Sequence, residues 1–179
     1  MQVISHFRDD HMTLEEHIDN LPKDKRFDIA IRLTRLALPI WDKYAEKNEL
    51  TYRDTIVGLQ HSVNRALLKD TIDAVEKYVS TNIIGKAIIK ITDLESLSRQ
   101  FSDPIVALQD LDWELPNEIE RTFYSVHNLL DSALGKEKTV FKETTIYVTI
   151  NQAIDALSSS KLMTEAEIRE ILYDNKNGL

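Results

Sequence analysis

Apolar residues recur along this chain at spacings of three and four, a rhythm that predicts helix after helix. Thr13 followed by Glu16 makes a capping box that opens a short helix to about Asn20, ended by Pro22. From Lys25 to Asn48 the chain is apolar nearly all round. Phe27, Ile29, Ala30, Ile31, Leu33, Leu36, Ala37, Leu38, Ile40, Trp41 and Tyr44 leave one polar stripe at Asp28, Arg32, Arg35, Asp42 and Glu46. Such a helix is enclosed by others, so it is the expected centre of the fold. Pro39 falls on the polar line, which predicts a kink on the wet side, or a stop and restart.

A third helix is expected to open at Thr51 or Tyr52, buried along Ile56, Leu59, Val63 and Leu67. Asp70 is read as the cap of a fourth, carrying Ile72, Val75 and Val79. The run Ile83 to Ile89 has strand-like residues. Its apolar positions continue at 84, 88, 91, 94, 97 and 101, so helix is expected through Phe101. Asp103-Pro104 reads as an N-cap with proline at the first helical position, and Leu115-Pro116 as the interruption of the short helix that follows. A long helix is predicted from Asn117 to Leu134, buried along Ile119, Phe123, Val126, Leu130 and Ala133, with Gly135 as its stop. Thr144 to Ile150 is β-branched, the best case for a strand in the chain. Ile146, Ile150, Ala153, Ile154 and Leu157 also fit a helix, and a lone strand has no partner, so Val140 to Leu157 is read as helix. Ser158 to Ser160 is expected to be loop, and a second capping box, Thr164 with Glu167, opens a last helix to about Tyr173. No repeat of fixed period is present. The expected fold class is all-α: one compact bundle of about seven or eight helices in a single domain over 1–179, with 1–12 as a mobile end.

Composition narrows the class. The chain has 179 residues, 42% apolar and 29% charged, which suits a folded globule with a substantial core. Four glycines and four prolines leave few turns and favour long helices. With no cysteine there is no disulfide, thiolate metal site or cysteine nucleophile, and a reducing cytoplasm is the expected setting. The opening Met-Gln-Val-Ile-Ser-His has no basic lead into an apolar run, which argues against a secretory signal. The stretch Ile83 to Ile91 is broken by Lys86 and Lys90, so no membrane span is expected.

Charge changes the picture more. Residues 1–90 hold 14 basic and 14 acidic side chains, whereas 91–179 hold 8 and 16, the whole of the formal −8. Asp93, Glu95, Asp103, Asp110, Asp112, Glu114, Glu118 and Glu120 are opposed in that stretch only by Arg99. A field of this sign steers basic partners and repels nucleic acid and anionic membranes. Within it, acids alternate with Leu111, Trp113 and Leu115 in a connector ending at Pro116. Trp113 on a polar rim has the make-up of a protein-binding hot spot, and the expected partner-binding set is Asp103, Asp110, Asp112, Trp113, Glu114, Glu118 and Glu120. The competing reading tucks Trp113 into the core and leaves its neighbours to keep the protein soluble.

Candidate chemistry is sparse. No His-Glu-x-x-His or Glu-x-x-His element is present, and the glycines at 58, 85, 135 and 178 are too dispersed to cradle a phosphate. His6, Asp9, Asp10, His11, Glu15, Glu16 and His17 are rich in ligand atoms, but their spacing matches no standard site. Glu15-Glu16 with Asp19, Glu46 with Glu49, and Asp70 and Asp73 with Glu76 have the residue types of an all-α Mg²⁺-dependent nucleotide pyrophosphohydrolase. They equally suit solvated helix faces and first turns. Glu120, Tyr124, His127 and Asp131 share one stripe of the long helix. They suit either proton transfer without a nucleophile or a hydrogen-bonded seam between helices. No catalytic residue, metal site or cofactor is assigned.

The Ala-containing helix leading into Leu38-Pro39-Ile40-Trp41, then Tyr44 and Arg53-Asp54-Thr55-Ile56, resembles the all-helical immunity proteins of bacterial polymorphic toxin systems over Phe27 to Leu68. The resemblance rests on packing positions and carries over no functional residue. What it implies is a cytoplasmic, non-enzymatic protein that neutralises a toxin by binding it. The expected partner is therefore a basic protein, with a structural or adaptor domain and the pyrophosphohydrolase as alternatives.

Overall fold

The computed structural model describes residues 12–54, 58–84, 91–136 and 144–173. Seven helices and one short hairpin account for its regular structure, an all-α bundle. Helix α1 (Leu14–Asn20) opens on the expected capping box: Thr13 Oγ1 accepts from the Glu16 amide while Glu16 accepts from the Thr13 amide at 2.8 Å. Helix α2 (Lys23–Ala45) runs unbroken through Pro39, which stays exposed on the polar side; the chain neither stops nor restarts there. Its inner side buries Phe27, Ala30, Leu33, Ala37 and Trp41.

The third expected helix is instead an antiparallel hairpin, β1 (Thr51–Arg53) with β2 (Gln60–Ser62), in which Tyr52 faces His61. The Asp54 amide donates to the Leu59 carbonyl and the Gly58 amide to the Asp54 carbonyl, with Gly58 at φ 71° as the turn requires. Tyr52 and Val63 are buried and Leu59 is exposed, so the apolar line once assigned to a helix is split between hairpin and solvent. Ile56 lies outside the described residues.

Helix α3 (Leu67–Ile84) begins before Asp70, which lies in its first turn and does not cap it; Asn64 Oδ1 accepts from the Ala66 amide and turns the chain in. Of the helix expected through Phe101, residues up to Ile84 end α3 and residues from Ile91 lie in α4 (Ile91–Gln109), and 85–90 lie outside the described residues. Asp103-Pro104 starts nothing: α4 runs through Pro104, which is buried, and ends at Gln109. There the Asp112 amide reaches back to the Ala107 carbonyl at 2.8 Å while Leu111 takes φ 62°. This six-to-one hydrogen bond around a left-handed residue is a Schellman stop. Leucine stands where glycine is usual, so the sequence gives no sign of it.

Helix α5 (Asn117–Ala133) follows Pro116 as expected and ends in the same motif, with the Lys136 amide on the Asp131 carbonyl around Gly135 at φ 70°. Helix α6 (Thr145–Ser159), capped by Thr144, bears out the helical reading of this β-branched stretch. It keeps Ser158 and Ser159, expected in a loop, and closes on a third such stop around Lys161 at φ 56°. The expected 140–143 portion lies outside the described residues. Helix α7 (Glu165–Tyr173) opens on the second capping box.

Helix α5 is the hub: it packs most extensively on α6 and α2, and also against α3 and α4. Its polar core residues are satisfied locally. Thr122 Oγ1 donates to the Glu118 carbonyl, Ser125 Oγ to Thr122 and Ser132 Oγ to Asn128, so hydroxyls enter the core without an orphaned donor. Around α5 stands an aromatic cluster in which Trp113 is only 6% exposed. Its ring lies 5.6 Å from Phe123, 5.8 Å from Tyr52 and 6.5 Å from Trp41. The connector tryptophan expected on a surface rim is thus interior, because the left-handed turn at Leu111 swings the chain back over the core.

Truncation of this ring leaves a large cavity at a four-element junction. Trp113→Ala is expected to cost about 3–5 kcal/mol of unfolding free energy, measured by urea denaturation. On α6, burial pushes the Asp155 carboxyl up, with Arg121 opposing in part. Because the folded state holds this proton more tightly, the ionised group weakens the fold above its raised pKa and has no such effect below the unfolded value. Asp155→Asn therefore raises the thermal midpoint at pH 7, and the gain vanishes as pH falls below the ordinary carboxylate range.

Candidate functional site

Helix α4 carries Asp103, Val106, Ala107 and Asp110 at helical spacing on one outer face. The hairpin packs against α4 through β1, bringing Asp54 and His61 up to that face, and Asp112 follows just beyond the stop. Together these seven residues line an open cleft of about 200 Å³. Four of them are aspartates.

The His61 ring stacks on Tyr52 at 5.2 Å and 14°. The Tyr52 phenol is pushed above its usual pKa, first by burial and then by the nearby charges of Asp103 and Asp54. Negative potential therefore converges on the hairpin side of the cleft. Val106 is 53% exposed at its wall, so the site joins carboxylates to an uncovered apolar side chain. Among the described residues no group of three or more histidines and acids is placed to hold a metal ion. The cleft offers a diffuse anionic field without a chelating geometry.

Of the expected partner-binding set, Asp103, Asp110 and Asp112 share this cleft. Glu114 is exposed outside it, Glu120 lies half-buried near Tyr124, and Trp113 is in the core. Glu118 lines a different groove, with Ile40, Lys43, Tyr44, Lys47 and Leu162. Asp103, Asp110, Glu114, Glu118 and Glu120 make no salt bridge to a described lysine or arginine. Sequence reasoning missed Asp54, His61 and Val106. Gly58 was the available signal: a lone glycine between short polar-apolar runs marks a hairpin turn, which would have set Asp54 opposite Leu59.

Several of the other candidates have structural partners. Arg35 donates to Asp73 at 2.9 Å and to Glu76, while Lys69 reaches Asp73 at 2.8 Å. The Lys69 hydrogen bond, opposed by burial and reinforced by Arg35, holds the Asp73 carboxyl below its usual range. Glu16 serves its capping box, Glu46 pairs with Arg65 at 3.2 Å, and Asp19 accepts from Thr144. His6, Asp9, Asp10 and His11 lie outside the described residues. On α5, His127 Nε2 stands 3.7 Å from Asp131 Oδ2, Lys136 Nζ is 3.8 Å from Oδ1, and the imidazole packs against Phe101. Burial, then Glu120, pushes the Tyr124 phenol up. Ser125 and Ser132 each bond within their own helix, so neither serves this stripe as a nucleophile.

Compared with known protein families, with curated proteins and with solved structures, the chain matches none. No helix among the described residues is long and apolar enough to cross a membrane.

If the cleft aspartates act on Tyr52 as described, removing one relieves the phenol. Asp103→Asn is expected to move the Tyr52 ionisation back toward its ordinary value, read as the ring carbon shift in an NMR titration of ¹³C-tyrosine-labelled protein. An unchanged Tyr52 titration would place Asp103 too far away to contribute.

Proposed function

We propose that this protein is a non-enzymatic binding domain whose acidic cleft receives a basic protein, most concretely a cytoplasmic immunity protein that neutralises a toxin. The observation that supports this reading is the convergence of Asp54, Asp103, Asp110 and Asp112 on one open cleft beside exposed Val106. Carboxylates around an uncovered apolar side chain supply both halves of protein recognition: long-range steering, and a patch that gains by losing water. Basic toxin domains that attack nucleic acid present the complementary charge. The anchor differs from the sequence expectation, since Val106 and the acids take the role once given to Trp113. The nucleotide hydrolase has less support, because Glu16, Asp19, Glu46, Asp73 and Glu76 of its candidate set are engaged in caps, hydrogen bonds and ion pairs, and among the described residues no group of acids and histidines is placed to hold a metal ion.

The reading predicts a basic toxin domain encoded beside this gene, and absence of one counts against it; where present, the triple variant Asp103→Lys, Asp110→Lys, Asp112→Lys tests the reading against that domain. Affinity by titration calorimetry is expected to fall by about a hundredfold or more, with loss of protection in cells expressing the toxin. The thermal midpoint should move little, since Asp103 and Asp110 are exposed. Wild-type binding should also weaken as salt shortens the screening length to about 10 Å at 0.1 M. Undiminished affinity of the triple variant removes the proposal.

A further inference from the structure

Two features remain unused by this reading. The first is Leu111, 75% exposed and held at φ 62°. A left-handed leucine is strained relative to glycine, and here the strain holds an aliphatic side chain out in water between Asp110 and Asp112. The second is a groove of about 420 Å³ between the end of α2, the start of α5 and the residues after α6. Ile40, Tyr44, Ile119 and Leu162 give it an apolar surface, Leu162 being 49% exposed, and Lys43 near the end of α2 and Lys47 in the turn just past it stand on its wall. Two ammoniums against Glu118 leave the groove net positive in a protein of net charge −8.

We propose that this groove receives the Asp110-Leu111-Asp112 tip of a second copy of the chain, forming a two-fold symmetric dimer. The chemistry of the two parts is complementary: a projecting leucine flanked by carboxylates meets an apolar trough flanked by lysines. Their placement suits closure. The connector that carries the tip leads through Pro116 directly into α5, whose Glu118 and Ile119 line the groove, so tip and groove wall are neighbours along the chain. A two-fold interface requires this self-complementarity, because each copy must offer both parts at once. Since Asp110 and Asp112 also line the acidic cleft, the dimer would compete with the basic partner proposed above. That regulatory consequence rests on the binding reading; dimerisation does not.

Sedimentation equilibrium of the full chain alone, over a wide concentration range, tests the proposal. The wild type is expected to approach twice the monomer mass, and Leu111→Gly to raise the dissociation constant by about tenfold or more. At concentrations where both chains are monomeric, Leu111→Gly should also raise the thermal midpoint, by about 2 °C, because glycine relieves the left-handed strain. Loss of the dimer then cannot be put down to loss of the fold. The pair Lys43→Glu, Lys47→Glu and the pair Asp110→Lys, Asp112→Lys should each be monomeric alone and associate again when mixed. A wild type that stays monomeric throughout overturns the proposal. So does a dimer indifferent to Leu111→Gly, a failure of the mixed charge-swapped chains to associate, or growth into larger oligomers.

Discussion

The indole of Trp41 is the fixed point of this structure. It is fully buried, its Nε1–H donates to the Arg65 carbonyl at 3.0 Å, and its ring lies 5.6 Å from Phe123 and 6.5 Å from Trp113. One side chain thereby ties α2 to the entry of α3, to the connector after α4 and to α5. Tyr52 extends the cluster to the hairpin, and Phe101 extends it to α4 and to the imidazole of His127. Large rings in offset and edge contact bury much apolar area with few rotamers, so they set the spacing of elements that share little sequence neighbourhood.

The acidic cleft is a by-product of that arrangement. The hairpin lies against α4 because Tyr52 inserts beside Trp113, and this brings Asp54 and His61 to the outer face of α4. The interior avoids a matching concentration of charge. The buried hydroxyls of Thr34, Thr71 and Thr149 return to their own helices while that of Thr145 donates to the Lys136 carbonyl, and among the described residues the one deeply buried carboxylate, Asp131, sits between His127 and Lys136. In the first half Arg26, Arg35, Arg65 and Lys69 pair with acids of that half. In the second half Asp103, Asp110 and Glu114 are exposed to water, where they can act at a distance.

Legibility in the sequence varied with the range of the interaction that decides each element. Both capping boxes were readable because a Thr and a Glu three residues apart settle the matter between themselves. The α5 stripe and the helical outcome for the β-branched α6 followed from periodicity, since a strand there would have had no pairing partner. The hairpin was missed because three-residue strands are too short to display alternation. Asp103-Pro104 misled because a proline is tolerated within α4, and Trp113 misled because the stop at Leu111 lacks the glycine that would have announced it.

The chain alone thus settled an all-helical bundle, most of its helix starts, and the concentration of net charge beyond residue 90, because these depend on neighbours within about one turn or on composition. Tertiary structure decided which acids stand together, that Trp113 is interior while Leu111 is not, and that Asp54 joins Asp103 and Asp110 across one cleft. Those outcomes depend on packing between residues far apart in the chain. The seating of the Tyr52 ring against Trp113 is fixed by the volumes and angles of the whole aromatic cluster, which no local spacing records.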